Sequence, residues 1–167
     1  MRSADEFFEL VDTRGDIIGC ARRSACHCNP LLMHRVVHVI VYNNSNAIYL
    51  QKRSMRKDIQ PGKWDTSVGG HVQPGEEIAA AARRELYEEL GLEPTTPLRH
   101  LYQYVWRSPV ETELVETFAC RSTVEPRPNP DEIEEGRWWT WEQIDAAGAL
   151  LTPNCREELR RYRAAWK

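Results

Sequence analysis

The stretch between Gly70 and Gly91 restricts this chain more than any other part of it. Residues 76–90 contain neither glycine nor proline. At 100° per residue Ile78, Ala79, Ala82, Leu86 and Leu90 fall on one side, so the segment predicts a helix whose apolar face lies on a sheet. Gly91 supplies the stop and Pro94 follows it. Beside the apolar face, Glu85, Glu88 and Glu89 stand at i, i+3 and i+4, and Glu76 adds a carboxylate at the helix start. Like charges at this spacing weaken a bare helix by about 0.2–0.5 kcal/mol per pair, so the stripe makes physical sense with cations on it. Oxygen ligands select Mg²⁺ or Mn²⁺. Mg²⁺ usually completes its shell with substrate phosphate oxygens, which makes a small-molecule diphosphate the natural partner.

That acidity is local. Five of the 25 acids, Glu76, Glu77, Glu85, Glu88 and Glu89, lie within fourteen residues, yet the 167-residue chain carries 22 Lys and Arg and a net charge of only −3. Such a balance argues against a global grip on a nucleic-acid polymer or an anionic membrane. The best apolar run, Val36 to Tyr42, is interrupted by His38 and is too short to span a bilayer. Residues 1–10 carry Asp5, Glu6 and Glu9 where a secretory signal would be basic and then apolar, and the cysteine count is odd, at five. A cytoplasmic protein with reduced thiols is expected, and a homodimer is left open. A length of 167 residues and 41% apolar content predict a single domain, residues 1–167, with a real core.

Around the helix, hydrophobic runs and turn residues predict an opening hairpin (9–11 and 17–19, with Gly15 in the turn) and a short helix over 21–28. Strands 35–42 and 47–52 read as a hairpin across Asn43–Asn46, and a short strand over 65–68 is ended by Gly69-Gly70. A strand pair over 98–106 and 114–120, a proline-rich loop at 125–130 and a last strand over 137–140 follow. Two helices close the chain: one over 141–147, and one from Thr152-Pro153 with Cys155, Leu159, Tyr162 and Trp166 on one face. The fold class is therefore α/β or α+β.

From Gly70 the chain runs glycine, five residues, Glu76, seven residues, Arg84-Glu85-Leu86, one residue, Glu88-Glu89, one residue, Gly91-Leu92. A match of this length arises by chance on the order of 10⁻¹⁰ per starting position at average residue usage. It resembles the Nudix box, here residues 70–92, and the resemblance implies a Nudix fold: a mixed β-sheet sandwiched between helices. It implies that Glu85, Glu88 and Glu89, with the Gly70 carbonyl, hold Mg²⁺ or Mn²⁺, and that Glu85 or Glu89 orients or deprotonates the attacking water. Arg84 would hold the loop by pairing with a carboxylate, Glu76 first among them. The implied reaction is hydrolysis of a nucleoside diphosphate linked to another group X.

Outside the box, residues 9–141 resemble the superfamily branch that contains isopentenyl-diphosphate isomerase. Glu9-Leu-Val-Asp12, Gln51-Lys-Arg53, Pro61-Gly-Lys-Trp64 and Ser67-Val-Gly-Gly-His71 carry that likeness. The isomerase holds a metal with three histidines and two glutamates, and His27, His34, His71, Glu111 and Glu113 match those positions in type and approximate spacing. Where the isomerase has its catalytic cysteine, just after the Ser-Val, this chain has Gly69. Without the thiol, alkene protonation loses one of its two acid–base groups, and the box is intact, so hydrolysis is favoured over isomerisation.

Arg53 and Lys63, with Lys52, Arg56 and Lys57, flank the approach to the box as candidate phosphate-binding residues, and His71 beside Gly70 is the best-placed histidine for substrate. His34 and His38 also fit simple alternation along a strand. Glu113 and Glu116 are candidates for a further ligand or base. Glu132, Glu134 and Glu135, in a loop before the last strand, are candidates for a further catalytic glutamate. Among six tryptophans, Trp138, Trp139 and Trp141 offer base stacking, with core packing as the alternative.

Overall fold

The computed structural model describes residues 6–57, 59–93 and 97–165. The strands are β1 (Phe7–Val11), β2 (Ile17–Arg22), β3 (Met33–Tyr42), β4 (Ile48–Arg53), β5 (Trp64–Asp65), β6 (Val68–His71), β7 (Arg99–Arg107), β8 (Thr112–Arg121) and β9 (Ile133–Trp139). The helices are α1 (Arg23–Cys26), α2 (Ile78–Leu90), α3 (Trp141–Ala147) and α4 (Pro153–Ala165).

β3 organises the sheet. It pairs in parallel with β8 along its whole length, from Met33 opposite Thr112 to Tyr42 opposite Arg121. Its other edge is shared in succession by β1 at His34, β6 over Val36–Val39, and β4 at Tyr42, all antiparallel. The sheet is therefore mixed, as the Nudix likeness implies. Alternation along β3 feeds two cores. Val37, Val39 and Val41 pack with Ala82, Leu86 and Leu90 of α2, while Ile40 packs with Leu159 and Tyr162 of α4 and Ile144 of α3. Each fully buried Val or Leu is worth roughly 1.5–3 kcal/mol, so both layers are anchored by their helices.

The expected hairpin forms, with β3 and β4 antiparallel across Asn43–Asn46, but its ladder is limited to Tyr42 opposite Ile48, because β4 swings away to pair with β5 and β9 and β6 takes its place beside β3. Several other expectations are corrected. Gly69 and Gly70 do not end a strand; they lie inside β6. The helix predicted over 21–28 shrinks to Arg23–Cys26, since residues up to Arg22 pair in β2. In α2 Ala81, not Ala79, is buried, and Glu76 lies before the first turn. Glu134 and Glu135 sit within β9. Trp166 falls outside the described residues; Cys155, Leu159 and Tyr162 do form the buried face of α4. All five cysteines are free thiols.

Candidate active site

The glycine inside β6 and the acids of α2 are one construction. A β carbon on Gly70 would lie 1.9 Å from the Glu85 carboxyl carbon, so only glycine lets the helix press that carboxylate against the strand. Glu85 and Glu89 are buried, whereas Glu88 is half exposed, so the acidic stripe is largely folded inward. Arg84 makes this tolerable. Its Nε and Nη2 donate to the two oxygens of Glu76 at 2.8 Å each, its Nη1 to Glu85 at 2.8 Å and to Glu88 at 3.3 Å, and its Nη2 to the His71 carbonyl at 3.0 Å. The Glu76 carboxyl is held below its usual value chiefly by this fork. On the inner side Gln51 Nε2 donates to Glu89 at 2.9 Å. The proline-rich loop ties down the helix end, with Asn129 N donating to the Glu89 carbonyl and Arg127 N to that of Leu90.

A cavity of about 1170 Å³ opens beside this construction, lined among others by Glu89, Gly70, His71, Arg53, Arg56 and Lys57. Arg53 is oriented by donating to Asp65 at 2.8 Å and to the Ile59 carbonyl at 2.9 Å. Lys63 is not among the lining residues. Of the late glutamates only Glu132 lines the cavity, 3.1 Å from Lys57 Nζ; Glu134 pairs with Lys52. Glu116 is occupied by His100 and Gln103. Trp138 donates to Glu125, Trp139 packs edge-on against Trp64, and Trp141 stacks on Tyr162, so core and surface packing claim all three. The cavity's tryptophan is Trp106, which nothing in its sequence neighbourhood marks out.

Four members of the second candidate set, His27, His71, Glu111 and Glu113, line the same cavity, and the fifth, His34, is wholly buried. Ligand atoms of His27, His34 and His71 lie within 4.8 Å of one another, as do those of His34, Glu111 and Glu113. His27 Nε2 and His71 Nε2 are 3.2 Å apart, and His27 Nε2 is 3.8 Å from Glu111. Phe8 stacks on both His71 and His34. His34 Nε2 and one Glu111 oxygen are buried without a hydrogen-bond partner. Burial lowers His34 to about 4, so the ring is neutral and its nitrogen is a ready ligand. Burial, then the adjacent Glu111, pushes Glu113 above the carboxylate range. The two triads share His34, and the orphaned His34 nitrogen and Glu111 oxygen among them are what a divalent cation would satisfy, so these residues fit a metal.

Residues 32–161 match the family model described as the NUDIX domain. The isopentenyl-diphosphate Delta-isomerase of Streptomyces griseus is 35% identical over 132 residues, covering 76% of this chain and 67% of the relative. An uncharacterized Nudix hydrolase of Yersinia pestis is 31% identical over 154 residues, covering 92% and 84%. Among solved structures, DR0079 from Deinococcus radiodurans superposes with a TM-score of 0.81 at 31% identity, covering 93% of this chain and 98% of that one. The chain belongs to the Nudix superfamily and, within it, to the isopentenyl-diphosphate isomerase-like branch. It is an enzyme of that superfamily, whose members in this branch act on small diphosphates and generally use divalent metal ions. No helix among the described residues is long and apolar enough to cross a membrane.

Proposed function

We propose that the chain is a Mg²⁺-dependent hydrolase that cleaves the diphosphate of a nucleoside diphosphate linked to another group X. The observation that carries this reading is the assembled box: Glu85 pressed under Gly70, Glu89 at the cavity wall, and Arg84 clamping Glu76, Glu85 and Glu88. Glu85, Glu88 and Glu89, with the Gly70 carbonyl, would hold the metal, which when bound neutralises phosphoryl charge and acidifies water. Glu89, steadied by Gln51, is placed to take a proton from the attacking water. Arg53, Arg56 and Lys57 supply cationic donors for the phosphates from the same cavity. Arg84 would hold the loop, its guanidinium forked on Glu76 and reaching Glu85 and Glu88.

The test is a metal-dependent hydrolysis screen over dinucleotides, nucleotide sugars, nucleoside triphosphates and prenyl diphosphates, with product identification. Turnover only with divalent metal, reduced by about 10²–10⁴-fold in Glu89→Gln, is expected. Absence of turnover across the panel would sink the reading. A second reading, isomerisation of isopentenyl diphosphate, is favoured by the convergence of His27, His34, His71, Glu111 and Glu113. It predicts proton exchange into that substrate. Gly69 in the thiol position weighs against it.

A further inference from the structure

The hydrolytic reading leaves one end of the cavity unused, the end built by the β7–β8 hairpin. Trp106, Pro109 and Val110 line it there. The turn is held in one shape, because Ser108 Oγ accepts from the amides of Val110 and Glu111 at 3.2 and 3.1 Å, and Ser108 N donates to the Glu111 carbonyl at 2.9 Å. Trp106 itself is half-buried and packs on Val36, Tyr104 and Val115, which brace it from β3, β7 and β8. Trp64, Trp138, Trp139 and Trp141 each pack against another aromatic ring. Trp106 contacts no other ring among the described residues. Its aromatic neighbours are occupied elsewhere: Tyr104 and Tyr102 donate to the buried Glu158 of α4 at 2.6 and 2.8 Å, and His38 Nδ1 donates to the same carboxylate at 2.6 Å. One braced aromatic ring is thus left to the cavity.

The sheet register says which part of a ligand reaches that ring. Trp106 stands opposite Glu113, and Glu113 opposite His34, so the tryptophan lies in one cross-strand row with members of the second candidate metal set. β3 then pairs with β6, which carries Gly70 and His71. At 4.7–4.9 Å between neighbouring strands, the three steps from β6 through β3 and β8 put β7 about 14 Å away. With the diphosphate held at the box and on Arg53, Arg56 and Lys57, the part of an extended nucleotide that reaches so far is its base. A base is flat, and stacking on an indole removes two π faces from water at once. We infer that Trp106 is the stacking platform for the nucleobase, so that the nucleoside runs from the box across β3 and β8 to β7. Stacking reads the π face and not the hydrogen-bonding edge, so purine and pyrimidine nucleotides both depend on it. The inference rests on the hydrolase reading of this cavity and adds to it the subsite that holds the nucleoside end.

The experiment compares ligands with and without a base. Binding of ADP, UDP, pyrophosphate and isopentenyl diphosphate is measured calorimetrically on the full chain with Ca²⁺ replacing Mg²⁺, in wild type, Trp106→Leu and Trp106→Phe. Leucine keeps an apolar side chain against Val36 and Tyr104 but removes the aromatic face, whereas phenylalanine keeps both. Trp106→Leu should weaken ADP and UDP about tenfold or more and leave pyrophosphate within about twofold, and Trp106→Phe should recover most of the loss. In ¹⁵N-tryptophan-labelled wild type, the Trp106 indole signal, assigned by its absence from Trp106→Phe, should move with ADP and UDP and stay in place with pyrophosphate. That measurement needs no folded Trp106→Leu. No binding of either nucleotide, an unmoved indole signal, or equal weakening of pyrophosphate overturns the inference. So does weakening of isopentenyl diphosphate as large as that of ADP, which would make this end a hydrocarbon site. If ADP and UDP bind with the expected signatures yet no nucleoside diphosphate derivative is cleaved under Mg²⁺, the hydrolase reading fails and the platform stands. If one is cleaved and Trp106→Leu keeps the wild-type KM, the reverse holds.

Discussion

His38 and Glu158 make opposite demands on pH, which turns their contact into a measurable quantity. Burial opposes charge on both. It is outweighed by their mutual attraction and hydrogen bond, so His38 is raised above 6.5 and Glu158 is lowered below 4.5. The Glu158 share of stability is present above about pH 4.5 and is lost as acid passes its lowered folded value. The His38 share is present below about pH 6.5 and is lost as the solution passes its raised one. Tyr102, Tyr104 and Thr117 hold the carboxylate from other strands and do not charge in this window. Glu158→Gln should therefore cost most near pH 5.5, about 3–5 kcal/mol, and less at pH 9. Urea unfolding of both proteins at the two pH values checks this; an equal cost at both would show that the imidazole is not charged.

At the scale of elements, the contact between β6 and α2 decides whether the box exists. Gly70→Ala places a methyl inside the Glu85 carboxylate, and with Arg84 already forked on Glu76 and Glu85 that side chain has no room to yield. We expect a loss of about 1–3 kcal/mol, read as a lower thermal midpoint, and loss of hydrolysis even where the variant folds. Retained hydrolysis in a folded variant would show that Glu85 need not touch the strand. The helix itself was readable because its period, its glycine stop and its acids are contiguous. Its burial was not. In the sequence Glu85 and Glu89 are an acidic stripe beside the apolar face, and nothing local says that β6 and Gln51 will be brought against them. The shortness of the β3–β4 ladder has the same root: a turn announces itself locally, but how much of β3's edge goes to β4 and how much to β6 is decided by distant chain.

The whole molecule converges on one cavity, and legibility there falls with sequence separation. The box residues declare themselves by spacing. His27, His34, His71, Glu111 and Glu113 came only through family likeness, because nothing in an isolated sequence brings the end of α1, β3, β6 and the start of β8 together. His38 showed only as a polar break in an apolar run, and nothing linked it to Glu158, 120 positions away. The five-residue cluster makes a prediction with two signs. His34 Nε2 and a Glu111 oxygen are buried without a hydrogen-bond partner among the described residues, which costs stability until a cation binds. Mn²⁺ at about 100 times its Kd should add about 2.7 kcal/mol, or roughly 5–10 °C in thermal midpoint for a chain of this size, reversed by a chelator. His34→Phe keeps the ring packed on Phe8 and removes the orphaned nitrogen. It should therefore match or exceed wild-type stability in chelator, yet gain much less from Mn²⁺. A variant that loses stability in chelator while keeping the full Mn²⁺ increment would show that His34 serves the core and not a metal.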